Sequence, residues 1–169
     1  MSYIWKEINR ENIPWSTNSK LLFQGLDLIE QGRYKEALQC GITVLEDEPK
    51  DEDAMWLIGV SLGFLGKHED AIFCFDEALK IDPNYEMAWC YRGLELGKLG
   101  RFEDAIKCFD EALKIDPVYR RAWCKKVLAL GELGRYREAT EFLDEVLKIN
   151  PNDEEAIMLK QDCLDKLSK

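Results

Sequence analysis

The sequence predicts an all-α protein in which helix pairs stack one after another into a solenoid. The main observation is a near duplication: residues 69–83 read EDAIFCFDEALKIDP and residues 103–117 read EDAIKCFDEALKIDP, differing only where Phe73 corresponds to Lys107. The two copies lie 34 residues apart. Prolines recur at the same interval, at Pro49, Pro83, Pro117 and Pro151. A fixed period of this length is typical of repeat proteins whose units stack on one another.

Each period contains two helical stretches. In the third, apolar residues recur at helical spacing from Ala88 to Leu99, Gly100 interrupts them, and the spacing restarts at Phe102. This pattern predicts a helical hairpin whose inner turn is closed by a glycine in the left-handed conformation. The glycines at this turn are Gly32, Gly66, Gly100 and Gly134. Small residues also recur where the two helices should meet, which predicts a close backbone approach: Gly25, Gly59 and Gly93 on first helices, and Ala37, Ala71, Ala105 and Ala139 on second helices.

The period divides the chain into four units without linkers: 18–51, 52–85, 86–119 and 120–153. Residues 154–169 are expected to form a capping helix. Its covering residues should be Ala156, Ile157, Leu164 and Leu167, with the polar side chains solvating the outer side.

Residues 1–17 form an amphipathic N-terminal segment that is too apolar to remain in water. Its apolar residues include Tyr3, Ile4, Trp5, Ile8, Ile13 and Trp15. We favour the interpretation that the segment caps the open side of the first hairpin. Alternatively it occupies a groove, either its own or a neighbour's.

Composition argues against several classes of partner. Asp and Glu number 33 against 23 Lys and Arg, and the formal net charge of −10 repels nucleic acid and anionic membranes. The sequence contains neither a long apolar run that could span a bilayer nor a signal-peptide core at its start. We therefore expect a cytoplasmic protein that binds neither nucleic acid nor membrane.

Catalytic and metal-binding patterns are weak. The six cysteines follow the repeat, with Cys40, Cys74 and Cys108 in one column and Cys90 and Cys124 in another, and no CxxC pair occurs. We interpret them as reduced, small apolar residues. The lone histidine, His68, should be a solvated residue at a helix start. We expect no metal, no cofactor and no enzymatic activity.

These residues resemble the tetratricopeptide repeat (TPR) family. The match is carried by the period and, in the third unit, by Trp89, Gly93, Ala105, Phe109, Ala112 and Pro117. The resemblance implies a right-handed superhelix of antiparallel helix pairs, whose first helices line a concave groove that binds a peptide or helix of a partner protein. The end units depart most from the pattern, with Gly41 in place of a large residue in the first unit and Val127 in the fourth.

On this geometry the groove is lined by an apolar face that suits an amphipathic helix or apolar peptide. The predicted groove residues are Leu22, Leu26, Trp56, Val60, Phe64, Cys90, Leu94, Arg121, Cys124, Lys125 and Leu128. Gly63, Gly97 and Gly131 offer space for a ligand backbone. The alternative is that Trp56 and Phe64 only pack on neighbouring first helices.

Arg121 and Lys125 fall at two basic positions of the carboxylate clamp found in TPR co-chaperones. The other clamp positions carry Trp56, Val60 and Tyr91, so the clamp is incomplete. Arg121 and Lys125 either hold a single carboxylate or, as we expect, pair with acidic neighbours, with Arg120 and Lys126 extending the basic patch.

Three functions follow from these patterns. The first is a non-enzymatic protein interaction scaffold. The second is a self-assembling, homo-oligomeric repeat protein joined through its N-terminal arm or end helices. The third is catalysis by a cysteine, which requires an accessible thiol of low pKa.

Overall fold

A computed structural model describes residues 16–168 of the chain. In this range the protein consists of helices alone, and the predicted all-α solenoid is confirmed. The helices are α1 (Thr17–Glu30), α2 (Tyr34–Asp47), α3 (Glu52–Phe64), α4 (His68–Ile81), α5 (Glu86–Lys98), α6 (Phe102–Ile115), α7 (Arg120–Glu132), α8 (Tyr136–Ile149) and α9 (Glu154–Leu167). They form four hairpins, α1/α2 to α7/α8, followed by α9. None of the described helices is long and apolar enough to cross a membrane.

The inner turn of each hairpin is closed by glycine, as the sequence predicts. Gly66 and Gly100 have φ values of 78° and 75°, and Gly32 and Gly134 lie in the same left-handed region. The amide that follows each glycine reaches back to the end of the first helix, as in Arg101 N to Leu96 O at 2.9 Å. This 6→1 hydrogen bond satisfies a terminal carbonyl group and fixes the angle at which the second helix leaves.

Two hairpins are held together by an aromatic ring packed on a glycine. A Cβ atom on Gly59 would lie 2.7 Å from Phe75 Cε1, and one on Gly93 would lie 2.6 Å from Phe109 Cε1. Both rings are at most 2% exposed. These two glycines make room for an aromatic ring of the second helix.

The end hairpins use other pairs at the same positions. In the fourth unit Val127 and Leu143 replace glycine and phenylalanine, and both are buried. In the first unit the ring is missing because Gly41 takes its place. Leu57 of α3 lies against Gly25 instead, and Ile58 Cγ1 would be 2.7 Å from a Cβ atom on Gly41.

Successive units are joined by a second recurring pattern. Four alanines of first helices are fully buried at these junctions: Ala54, Ala88, Ala122 and Ala156. An ion pair joins each of the last three junctions. The pairs are Arg92 with Asp76 at 2.6 Å, Lys126 with Asp110 at 2.7 Å and Lys160 with Asp144 at 2.5 Å. At the first junction the equivalent positions carry Ile42 and Ile58, so an apolar pair replaces the ion pair.

The last helix caps the array with fewer residues than expected. Ala156 and Cys163 are buried, and Arg120 of α7 ties α9 in place through Asp153 at 3.0 Å and Glu155 at 2.5 Å. The prediction that Ile157, Leu164 and Leu167 also cover the hairpin is wrong, because they are 49%, 42% and 46% exposed. One repeat earlier, the equivalent residues are Trp123, Leu130 and Leu133. These lie on the side of α7 that packs in the core of its own hairpin.

Two alanine substitutions on α5 test the ring-on-glycine contact. In Gly93→Ala the new Cβ collides with the buried Phe109 ring, and overpacking of about 1–3 kcal/mol outweighs a helix propensity gain of about 1 kcal/mol. Around Gly97 no atom lies within 4 Å of an added Cβ, so Gly97→Ala should be stabilising. Thermal melts followed by circular dichroism should show a lower Tm for the first variant and a higher one for the second. A Gly93→Ala variant at least as stable as the wild type would contradict the contact.

Candidate functional site

The inner face of the solenoid is formed by the first helix of each unit. Within the described range the backbones of α1 and α3, α3 and α5, α5 and α7, and α7 and α9 approach within 8 Å between Cα atoms, whereas those of successive second helices stay further apart. The stack must therefore curve with its first helices on the inside. The surface of these helices is the concave face.

A cavity of about 180 Å³ opens on the concave face at the first junction. It is lined by residues of α1, α3 and α5, together with Tyr85 just before α5. The lining residues are Ser19, Leu22, Phe23, Leu26, Asp53, Trp56, Leu57, Tyr85 and Met87. The cavity thus brings together three of the predicted groove residues, Leu22, Leu26 and Trp56. The first two are half-buried, so part of each residue remains accessible.

Trp56 forms the back of this site. It is only 6% exposed, and its ring meets Tyr91 edge-on at 5.3 Å between centroids. The buried Nε1–H group has no hydrogen-bond acceptor among the described residues. Trp56 therefore serves the core and the cavity wall together, which combines the two interpretations that the sequence left open.

The cavity also has a polar rim that the sequence patterns did not reveal. Tyr85 Oη donates a hydrogen bond to Asp53 Oδ1 at 2.5 Å, across 32 residues of sequence. Burial, followed by the nearby Asp53 carboxylate, raises the pKa of Tyr85, so its hydroxyl group stays protonated and acts as the donor. The one available signal was that Tyr85 and Tyr119 both follow a repeat proline by two residues.

The remaining apolar groove residues do not form one continuous surface. Val60 and Cys90 are 2% and 0% exposed, so neither can contact a partner in this structure. Their burial follows from the close packing of adjacent first helices. Leu94 and Cys124 are half-buried, whereas Leu128 is 51% exposed at the far end of the face.

Phe64 lies at the opposite end of α3 from the cavity opening. It is 48% exposed, but one face of its ring stacks on Tyr34, with centroids 4.7 Å apart and the planes at 4°. Lys98 Nζ lies 5.9 Å from the ring centroid. Phe64 therefore stacks on Tyr34 of α2 and also lies beside Lys98 of the neighbouring first helix, α5.

Two of the four residues of the basic patch, Arg120 and Lys126, are paired with acidic residues of the chain. Arg121 donates to Tyr91 Oη at 3.0 Å, and its guanidinium lies 5.1 Å from the Tyr91 ring centroid. Its partner is thus a tyrosine, where we expected an acidic residue. Arg120 and Lys126 are held by the ion pairs described above. Lys125 has no ion pair or hydrogen bond among the described residues, so its ammonium group is available to a ligand.

A buried carboxylate occupies the space that Gly63 was expected to leave. Glu95 is 3% exposed. Its Oε1 atom accepts a hydrogen bond from Lys98 Nζ at 2.8 Å, and its Oε2 atom lies 2.6 Å from His68 Nδ1. A Cβ atom on Gly63 would lie 2.6 Å from Glu95 Oε1. His68 is at a helix start as predicted, but it is paired with a buried acid and is not simply solvated. Around Gly97 no atom lies within 4 Å of an added Cβ atom, and at Gly131 the nearest atom is Tyr136 Cε1 at 3.9 Å.

The cysteines offer no activated nucleophile. All six are free, and burial raises the pKa of each thiol, to about 11 for Cys74 and about 12 for Cys90 and Cys124. A thiol with a raised pKa is protonated at neutral pH and is a poor nucleophile. Within residues 16–168, no group of three His, Cys, Asp or Glu side chains is placed to hold a metal ion.

The stacked hairpins and their concave face define the protein as an α-helical repeat solenoid. Family models described as tetratricopeptide repeat match residues 57–85, 87–119 and 121–153. These matches cover more than half of the chain, which therefore belongs to the tetratricopeptide repeat family. They begin after the first unit, where Gly41 departs from the pattern.

Solved structures with the same fold have low sequence identity to this chain. The structure of Naa15/Naa10 bound to HypK-THB has a TM-score of 0.76 at 22% identity over 90% of this chain. A tetratricopeptide repeat protein from Parabacteroides merdae has a TM-score of 0.71 at 22% identity over 90%. This chain spans only 23% and 59% of these two structures.

A third structure is the first TPR of Spaghetti (RPAP3) bound to the HSP90 peptide SRMEEVD. It has a TM-score of 0.64 at 22% identity. The match covers 69% of this chain and 92% of the TPR chain in that structure. Among curated proteins no relative matches the sequence. At these identities the likeness shows the fold alone.

Alkylation kinetics test the state of the thiols. Because burial keeps all six protonated, iodoacetamide at neutral pH should label the folded protein about tenfold or more slowly than the protein in denaturant. Mass spectrometry of the digested protein gives the rate at each position. The half-buried Cys74 and Cys124 are the sites to compare first. A cysteine that reacts as fast in the folded protein as in denaturant would restore the catalytic hypothesis.

Proposed function

We propose that this protein is a non-enzymatic scaffold that binds a peptide or helix of a partner protein on its concave face. The observation that carries the proposal is the cavity at the first junction, where Leu22 and Leu26 of α1 meet Trp56 of α3. An apolar side chain of the partner enters the cavity and the rest of the segment lies along the first helices. The free thiols support a cytoplasmic location, where cysteines remain reduced.

The packing of the array favours this mode of binding. Of the helices that form the cavity walls, α3 and α5 are packed between neighbouring helices and α1 packs on α2 and α3, so binding orders few groups on the receptor. A partner that fills the cavity removes the exposed parts of Leu22 and Leu26 from water. At about 25 cal/mol per Å² of apolar surface, one well-placed side chain contributes on the order of 2 kcal/mol.

The related folds support a role in protein interaction. Naa15/Naa10 is bound to HypK, and the first TPR of Spaghetti is bound to a peptide of HSP90. In this chain the partner must have an apolar residue for the cavity. Lys125 adds a place for one acidic group further along the face, because its ammonium group has no partner among the described residues.

A matched pair of variants tests the cavity. Peptides that bind the full-length chain are first selected from a displayed library of helical sequences. Leu26→Glu places a charge in the cavity and should weaken the selected peptides by about tenfold or more, equivalent to about 1.4 kcal/mol. Phe73→Lys is the control: Phe73 is 63% exposed on α4, and the next repeat carries lysine at this position.

Isothermal titration gives the affinities, and thermal melts confirm that both variants remain folded. Peptides that lose affinity in Phe73→Lys but keep it in Leu26→Glu would place the binding surface on the second helices. Trp56→Ala is not a suitable probe, because removing a buried tryptophan costs about 3–5 kcal/mol of stability whatever it does to binding.

A second candidate function is self-assembly through the last helix. The observation in its favour is the exposed apolar stripe of α9, formed by Ile157, Leu164 and Leu167. These residues occupy positions that pack in the hairpin core of the preceding unit, so an added helix from a second copy has an apolar surface to cover.

Light scattering over a range of concentrations tests this second function. If α9 joins two copies, the wild-type protein should dimerise as its concentration rises, and Ile157→Ser combined with Leu164→Ser should remain monomeric. The exposed positions allow both substitutions with little loss of stability. A wild-type protein that is monomeric at all concentrations would exclude assembly through α9.

A further inference from the structure

We propose that the cavity on the concave face is occupied by the N-terminal segment of the same chain, residues 1–15, and that a partner must displace this segment. The inference rests on the proposed function, since it takes the cavity to be a binding site. The segment lies outside the described residues. Its sequence is MSYIWKEINRENIPW.

Two surfaces near the start of α1 could receive this apolar segment, and the first is the outer face of α1. This face corresponds to the side of later first helices that packs on the preceding hairpin. There Ala54, Ala88, Ala122 and Ala156 are fully buried. The equivalent residue of α1 is Lys20, and Gln24 takes the place of Ile58; both are exposed. The outer face of α1 is therefore polar at its centre, unlike the alanine-containing faces of the later first helices.

The cavity is the second surface, and its chemistry fits. Its walls are mostly apolar, and Ser19 in the first turn of α1 is one of the lining residues. The N-cap of α1 is Ser16, so the segment joins the chain at the helix that forms one cavity wall. Fifteen residues extend to about 50 Å, whereas helices in contact lie about 8–10 Å apart. The segment is long enough to reach Met87 on α5.

Trp56 adds a polar requirement that a peptide segment can meet. Its buried Nε1–H lacks an acceptor among the described residues, and a buried donor is normally paired. Every residue of a peptide segment carries a carbonyl acceptor. The segment also supplies six large apolar residues, Tyr3, Ile4, Trp5, Ile8, Ile13 and Trp15, which avoid water. The segment supplies an acceptor for Trp56 Nε1–H, and the cavity removes apolar side chains of the segment from water.

Attachment to the same chain makes the segment an effective competitor. A short tether gives an effective concentration on the order of millimolar, so a segment with an intrinsic Kd of about 100 µM fills the cavity about nine-tenths of the time. A partner that needs the same cavity then binds about tenfold more weakly. A partner therefore binds only when its affinity and concentration are high enough to displace the segment from the cavity.

The experiment uses the full-length chain and a labelled synthetic peptide of residues 1–15 as the probe. Ile4→Ser combined with Ile8→Ser weakens the tethered segment without changing any described residue. Fluorescence anisotropy should show that the peptide binds this double variant about tenfold more tightly than it binds the wild type. Equal affinity for both proteins, or binding to neither, would overturn the proposal.

Two further substitutions, each added to the double variant, identify the face. Ser19→Arg places a long charged side chain at the cavity wall and should weaken the peptide about tenfold or more, whereas Gln24→Arg on the outer face of α1 should leave the affinity unchanged. Thermal melts check that both variants fold, as expected for positions outside the core. The reverse result would mean that the segment caps the first hairpin, and the proposal would be wrong.

Sedimentation separates occupation within one chain from exchange between chains. We expect the wild type and the Ile4→Ser/Ile8→Ser variant to sediment alike; a dimer present only in the wild type would show that a neighbour's segment fills the cavity, which overturns the proposal. The selected helical peptides distinguish this failure from that of the proposed function. If they bind both proteins equally through Leu26, the scaffold function stands and the tethered competitor does not.

Discussion

The packing of a phenylalanine ring on a backbone glycine sets the geometry of the two central hairpins of the array. Phe75 on Gly59 and Phe109 on Gly93 fix how closely the two helices of a hairpin approach. The repeat then propagates this distance, because each unit packs only on its neighbours. A close hairpin also brings the first helices of adjacent units into contact, which curves the stack and produces the concave face.

The cavity lies beside the one described hairpin that lacks a large residue at the ring position. In the first unit Gly41 takes that position, and Leu57 from the next unit lies against Gly25. Leu57 also lines the cavity, so the same side chain that fills the missing contact forms a wall of the site. The departure of the first unit from the repeat pattern and the location of the site thus have one structural basis.

The fold could be predicted almost completely from the sequence, because the period, the turn glycines and the helical spacing are local signals. The site could be predicted only in part. Leu22, Leu26 and Trp56 meet in the cavity, but Val60 and Cys90 share their helical face and are buried. Helical spacing predicts on which side of a helix a residue lies. It does not predict how much of that side is covered by the neighbouring helix. The hydrogen bond between Tyr85 and Asp53 spans 32 residues of sequence, and no local pattern encodes it.

One signal between units was nevertheless present in the sequence. Asp76 and Arg92, Asp110 and Lys126, and Asp144 and Lys160 are opposite charges at a constant separation of 16 residues, and all three form ion pairs. At the first junction the same positions are Ile42 and Ile58. Exposed ion pairs contribute about 0–1 kcal/mol each, so replacing one by an apolar pair costs little. The first junction can therefore differ from the others in charge and in shape, and the cavity is formed there.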